Sequence, residues 1–177
     1  MAIKIIKNQY NDGEKWLVYC EDKEQLKVVL NGLQNENIDA IEYHTSMTSS
    51  MSETLKWYKN FGGVLVSIRC LDEGVDIPDI SHALILASSQ NPRQFIQRRG
   101  RVLRKAKNKY KAVIHDAIVT PLNLEVDPEQ YSLIKGELCR SIEFAKSALN
   151  KTASAELEIL AINLGLNIQT LALDGVE

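Results

Sequence analysis

The chain has 177 residues, 45% of them hydrophobic and 25% charged, with a net charge of −2 at pH 7. That leaves room for one α/β core and an appendage, in the composition range of ordinary globular domains. No apolar run approaches membrane-spanning length, the N-terminal apolar stretch is too short for a signal peptide, and the odd count of three cysteines lacks metal-like spacing. A membrane protein is therefore excluded, and a reduced, cytoplasmic chain is expected.

Short apolar runs alternate with helical patterns. The first dozen residues read as the tail of a linker (1–14) from an upstream domain. Lys15 to Cys20 reads as a buried strand, and Asp22 as the cap of a helix carrying Leu26, Val29, Leu30 and Leu33 at helical spacing. Ala40 to His44 is a second strand, followed by a helix from about Ser52 to Phe61. Gly62-Gly63 punctuates before a strand at Val64 to Ile68. His82 to Ala87 is the next strand, Asn91-Pro92 opens a helix running to about Leu103, and Lys111 to Val119 is the last strand, stopped by Pro121. Repeated β–α units of this length predict a parallel sheet covered by helices on both faces, over residues 15–122. Beyond Asp127-Pro128 the pattern is helical only. Ile134, Leu138, Ile142, Ala145 and Leu149 form one stripe and Leu157, Leu160, Ala161 and Leu164 another, which predicts a helical extension over 123–177.

The charge is unevenly spread. Nine Lys or Arg residues and no acid lie between Arg93 and Lys111, leaving 12 basic residues against 23 acidic ones elsewhere. A solvated basic helix face is the commoner fate of such a run, but it can also form a local anion site. Within it, Gln97-Arg-Arg-Gly-Arg-Val-Leu-Arg104 places Gln97, Arg101 and Arg104 at i, i+4 and i+7 of a helix, with Gly100 leaving room for a close neighbour. Forked guanidiniums suit phosphate oxygens, and a glutamine can orient water. A second segment, Leu71-Asp-Glu-Gly-Val-Asp-Ile-Pro78, follows a strand. Gly74 permits close backbone approach there, and Asp76 and Pro78 follow; ligands of open α/β sheets bind at carboxyl strand ends, where this turn would sit. An ordinary loop with a surface Asp explains that segment equally well by itself.

Trp16-Leu-Val-Tyr-Cys, then Leu-Asp-Glu-Gly-Val-Asp-Ile-Pro, then Gln-Arg-Arg-Gly-Arg-Val-Leu-Arg, in this order and at these separations, resemble motifs IV, V and VI of superfamily 2 helicases. The likeness spans roughly residues 15 to 120 and is greatest to restriction-enzyme motor subunits and DEAD/DEAH-type DNA repair helicases. It implies a RecA-like domain, the C-terminal half of an ATP-dependent motor. By that resemblance Asp76 would contact the ribose hydroxyls and Gly74 would admit the nucleotide. Arg101 and Arg104 would be arginine fingers, with Gln97 beside them and Arg98 structural. Where many relatives carry Thr and Asp, this chain has Ile68 and Arg69. The nucleic-acid backbone contact then falls to Ser67 or a main-chain N–H, while Arg69 reaches a phosphate or pairs with Asp72 or Glu73.

No Gly-x-x-x-x-Gly-Lys-Ser/Thr and no Asp-Glu-x-His or Asp-Glu-x-Asp occurs. ATP and Mg2+ would accordingly be held mainly by an N-terminal RecA-like domain of the same polypeptide, and the chain alone is expected to be an inactive half-site. DNA is the expected track, with RNA open because no 2′-hydroxyl reader is evident. The rival reading is a RecA-like scaffold without catalytic role. His44, His82 and His115 read as core or loop histidines, and Trp57 as packing. Packing is also the simpler reading of Tyr58, with base stacking left open for it.

Overall fold

The computed structural model describes residues 1–68, 77–86, 100–107, 109–121, 126 and 129–166, and separates into two compact units, Met1–Ala117 and Ile118–Glu177. In the first unit, α1 (Ala2–Gln9) leads into β1 (Lys15–Cys20), α2 (Lys23–Asn35), β2 (Ala40–Tyr43), α3 (Met51–Phe61), β3 (Gly63–Ile68), β4 (His82–Ile85) and β5 (Val113–Asp116). The five strands are all parallel, in the order β2-β3-β1-β4-β5. This is the RecA-like α/β sheet that the sequence implies.

The chain moves one way across the sheet from β1 to β2, and the other way in every later step. Parallel crossovers are right-handed, so that reversal decides which face each connection covers. The β1–β2 connection, α2, puts Leu26, Val29 and Leu33 on one face with Trp16, Val18, Val64, Val66 and Leu84. All later connections then belong on the opposite face. Tyr58 of α3, Ile77 and Ile80 between β3 and β4, and Val102 between β4 and β5 do share one core with Leu17, Tyr19, Leu65, Ala83 and Ile85. Burial on both faces explains why Trp16 to Cys20 is apolar without alternation.

Local signals set the helix ends. The Asp22 carboxylate accepts the Gln25 N–H at 2.8 Å. Ser50 caps α3 through the Glu53 N–H, one residue earlier than the start expected from sequence. The final strand is confined to Val113–Asp116, shorter than Lys111 to Val119.

Residues 2–9, expected within a linker, form a helix instead. Ile6 is wholly buried against α2 and the sheet, Gly32 is the gap that Ile3 enters, and Lys7 pairs with Glu36. Apolar residues at 2, 5 and 6 supply a face for this packing, a signal masked by the intervening lysines. Tyr58 packs as expected. Fully buried, its hydroxyl donates to the Trp16 carbonyl at 2.8 Å, so the ring is a core anchor and not a base-stacking platform.

The second unit is a helical hairpin of α4 (Tyr131–Ser147) and α5 (Thr152–Asn163). Ile134, Leu138 and Ile142 pack with Ala161, Leu164 and Leu166. Leu149 falls beyond the end of α4 and is exposed, although its spacing assigns it to the stripe. A left-handed Gly165 ends α5: its N–H donates to Ile162 and that of Leu166 to Ala161, both at 2.9 Å.

Two predictions come from this architecture. Gly62 has φ +80, and an added Cβ would lie 2.6 Å from the Gly13 carbonyl oxygen, whereas one at Gly136 on α4 would meet nothing within 4 Å. Gly62→Ala should destabilise by about 2 kcal/mol or more, and Gly136→Ala should stabilise by about 0.5–1 kcal/mol, in denaturant unfolding.

The second prediction concerns pH. His82 stacks on Trp16 with ring centroids 4.2 Å apart, and His115 lies at 6.0 Å from the same ring. Burial holds both imidazoles below their usual pKa; for His82 the Glu14 carboxylate opposes the shift, while His115 and Lys111 add to it. The unfolded chain takes up these protons near pH 6.5 and the folded chain resists, so stability is complete above that value and declines below it. The denaturant midpoint should drop between pH 7.5 and 5.5, and drop less in a His82→Gln/His115→Gln variant; equal pH slopes for the two proteins would contradict this.

Candidate nucleotide-facing site

Ser67 and Ile68 end β3 at the carboxyl edge of the sheet, and the chain next becomes describable at Ile77. There it already lies beside the opposite edge. Ser81 donates its N–H to the carbonyl of Lys15, the first residue of β1, at 3.0 Å, and His82 begins β4. The exit of the second motif segment, Ile77 to Ile80, is at the amino ends of β1 and β4, while the turn around Gly74, expected at the carboxyl strand ends, lies outside the described residues.

That exit is held from three directions. Ile77 and Ile80 are buried in the α3-side core. Asp79 pairs with Lys15, whose ammonium also donates to the Lys59 carbonyl at 2.6 Å near the end of α3. The third hold is Lys109, whose ammonium donates to the Pro78 carbonyl at 3.0 Å.

The arginine segment arrives on the same face. Residues 100–102 are helical, Leu103 is in a turn, and Arg104 lies past the helix. Val102 is fully buried in the core that holds Ile77 and Ile80. Its neighbour Arg101 is half-buried, and Arg104 is exposed. The i, i+4, i+7 geometry thus cannot extend to Arg104, because the helix ends before it. A Cβ at Gly100 would meet nothing within 4 Å among the described residues, none of which accounts for that glycine.

Lys109 joins the two segments. Besides Pro78, its ammonium donates to the Val102 carbonyl at 2.5 Å and the Arg104 carbonyl at 3.0 Å. These are carbonyls at the end of a helix, where a cation is favoured by both hydrogen bonding and the helix dipole. Burial lowers the Lys109 pKa, and Asp79 opposes that shift. Sequence reasoning missed this residue, since one lysine among nine basic residues carries no distinguishing spacing. Its separation of five from Arg104, just after a predicted helix end, was the available signal.

Arg69, Gly74, Asp76, Gln97 and Arg98 lie outside the described residues. Ser67 is described, and its side chain is fully buried with Tyr19 and Tyr43 as register partners. Strand alternation puts residue 67 on the same side as Leu65, under the α3 layer. Its hydroxyl finds no hydrogen-bond partner among the described residues, but being enclosed it cannot contact a nucleic-acid backbone as folded, contrary to expectation. Cys20 is likewise buried, which raises its thiol pKa to about 12 and leaves it unreactive. Among the described residues no cluster of His, Cys, Asp or Glu could hold a metal, and no helix is long and apolar enough to cross a membrane.

Comparison with known proteins gives this geometry a family. Residues 1–106 match the model of the "Helicase conserved C-terminal domain". The chain is 26% identical over 100 residues to "ATP-dependent DNA helicase Q-like 2" of Arabidopsis thaliana, covering 55% of this chain and 14% of that protein. It is 27% identical over 113 residues to "Putative ATP-dependent RNA helicase MJ1505" of Methanocaldococcus jannaschii, covering 58% and 14%. The chain therefore matches only about a seventh of the length of either relative. Among solved structures, the C-terminal domain of the DEAD-box protein Dbp5 shares the fold with a TM-score of 0.56 at 15% identity, over 76% of this chain and 74% of that one. A five-stranded parallel sheet, the described ends of the two motif segments in one core and a family match over most of the sheet unit converge: this chain belongs to the helicase conserved C-terminal domain family.

Proposed function

We propose that this domain is the second RecA-like half of a cytoplasmic, ATP-driven motor moving on nucleic acid, with DNA as the track. In this reading an N-terminal RecA-like domain of the same polypeptide holds ATP and Mg2+. The present chain closes over the nucleotide with Arg101 and Arg104 toward the γ-phosphate, Gln97 beside them, and Gly74 and Asp76 at the ribose. Arg69 reaches a phosphate of the nucleic-acid backbone. The observation that carries the reading is the burial of Val102 in the core beneath the exit of the second segment, with Arg101 and Arg104 on either side of it. That anchorage fixes the backbone from which both guanidiniums project.

The chemistry follows from the geometry of a half-site. As the terminal phosphoryl group transfers to water, charge accumulates on its oxygens and on the leaving oxygen. A guanidinium positioned beforehand stabilises that charge without reorganising solvent. Hydrolysis and release then weaken the contact between the two domains, and alternating closure and opening steps the pair along its track. Grip on the phosphate backbone requires little base readout, so sequence preference is not expected. Relatives named for DNA and for RNA match about equally well, so both nucleic acids belong in the test.

In the complete motor, Arg101→Ala and Arg104→Ala should each lower ATP turnover by roughly 10³-fold with the fold intact, and lysine at either position should restore little of it. Asp76→Ala should mainly raise KM for ATP, since a ribose contact is made in ground and transition states alike. Steady-state hydrolysis with DNA, with RNA and without either is the measurement. Near-normal turnover in both arginine variants would remove the motor assignment and favour a scaffold.

A further inference from the structure

We infer that Lys109 is a positioning residue that sets Arg104 for phosphate contact by clamping the end of the arginine segment to the exit of the second motif segment. The inference rests on the arginine reading above and adds the device that makes it workable.

The regular helix ends at Val102, so helical hydrogen bonds cannot specify where Arg104 sits. Beyond a helix end the terminal carbonyls need donors, and a chain leaving without them is free to reorient. Lys109 supplies three N–H groups from one ammonium and distributes them to Val102, Arg104 and Pro78. Two of the acceptors fix the backbone on both sides of Leu103. The third ties that backbone to residue 78, itself immobilised by Ile77 and Ile80 in the core and by the Asp79–Lys15 pair. The turn from Arg104 to Lys109 is closed by an Ala106 carbonyl that accepts the Lys109 N–H at 3.2 Å, so the clamp is a compact local loop.

A general capping role would be met by two carbonyls of the same helix. The bond to Pro78 is the feature that a cap does not need, because it joins two chain segments separated by 31 residues. Those are the two segments whose relative position determines whether ribose and γ-phosphate contacts can form together. Misplacement by about 1 Å of a group that acts on the transition state can cost on the order of 100-fold in rate, even when binding of the ground state is preserved. Lys109 is not placed to touch the nucleotide in this argument; it acts through Arg104.

The test is Lys109→Met, which keeps the aliphatic stem and removes all three donors, beside Lys109→Arg, which retains donors on a longer side chain. In the complete motor, Lys109→Met should lower kcat for ATP by roughly 10- to 100-fold with KM changed less than about threefold, and Lys109→Arg should recover much of the loss. In the same variant, amide exchange should accelerate over residues 100–107 and stay unchanged over β1 and β3. Arg104→Ala measured in parallel separates the two layers of the argument. If it collapses turnover while Lys109→Met keeps kcat within about twofold of wild type, the clamp is overturned and the arginine reading survives. If Lys109→Met loses activity only in proportion to a loss of folded protein, with exchange faster throughout the sheet, the role is merely structural and the inference is overturned. Should Arg104→Ala itself leave turnover intact, the arginine reading fails and the clamp goes with it.

Discussion

A parallel sheet can be closed only by crossovers, and crossovers between parallel strands are right-handed. Because the chain turns back after β2, α2 covers one face of the sheet while α3 and the described core residues of both later connections, Ile77, Ile80 and Val102, pack on the other. The rest of the domain depends on that reversal. The described ends of the two motif segments, Ile77 and Val102, lie in the later connections and share the α3-side core. The reversal also leaves β1 in the middle with both sides buried, which is why Trp16 to Cys20 carries Trp, Leu, Val, Tyr and Cys where a half-exposed strand would alternate.

Energetically the α3 face combines two kinds of constraint. Ile77, Ile80, Ala83 and Val102 contribute non-directional burial, which holds the connections against the sheet but allows them to slide. Direction comes from the lysines. Lys15 joins the start of β1 to the end of α3 and to Asp79, while Lys109 joins residue 78 to residues 102 and 104. Lys15 shares its cation between the Lys59 carbonyl and the Asp79 carboxylate, Lys109 shares its own among three carbonyls, and together they bracket the turn at 77–80. Such buried or half-buried polar links add less to stability than to uniqueness of position.

Most of the fold was legible because its signals are local. Apolar runs marked the first three strands, Asp22 and Gly62 marked helix ends, and the heptad-like spacing of Ile134, Leu138 and Ile142 marked the hairpin. What was not legible depends on long-range packing. Helix α1 is stabilised by entry of Ile3 at Gly32 and by Ile6 in the core, and neither is visible in a segment of eight residues of which four are polar. Tyr58 presents the same pattern whether it stacks on a base or anchors a core; only the register of Trp16 beneath it decides. At the candidate site, motif spacing singled out Arg101 and Arg104 on one continuous helix face, whereas the described helix ends at Val102. Ser67 was misjudged for a simpler reason: the end of a strand was treated as surface, although its odd-numbered side lies beneath α3.

The central claim is that two arginines fixed on the α3 face complete a nucleotide site held by another domain. It is tested most directly by an experimental structure of the complete motor with an ATP analogue that mimics the γ-phosphate. The account predicts the guanidiniums of Arg101 and Arg104 within about 3 Å of the terminal phosphate oxygens, as charge-assisted hydrogen bonds require. A closed, nucleotide-bound structure in which both arginines point away from the phosphates, or pair only with carboxylates, would contradict it.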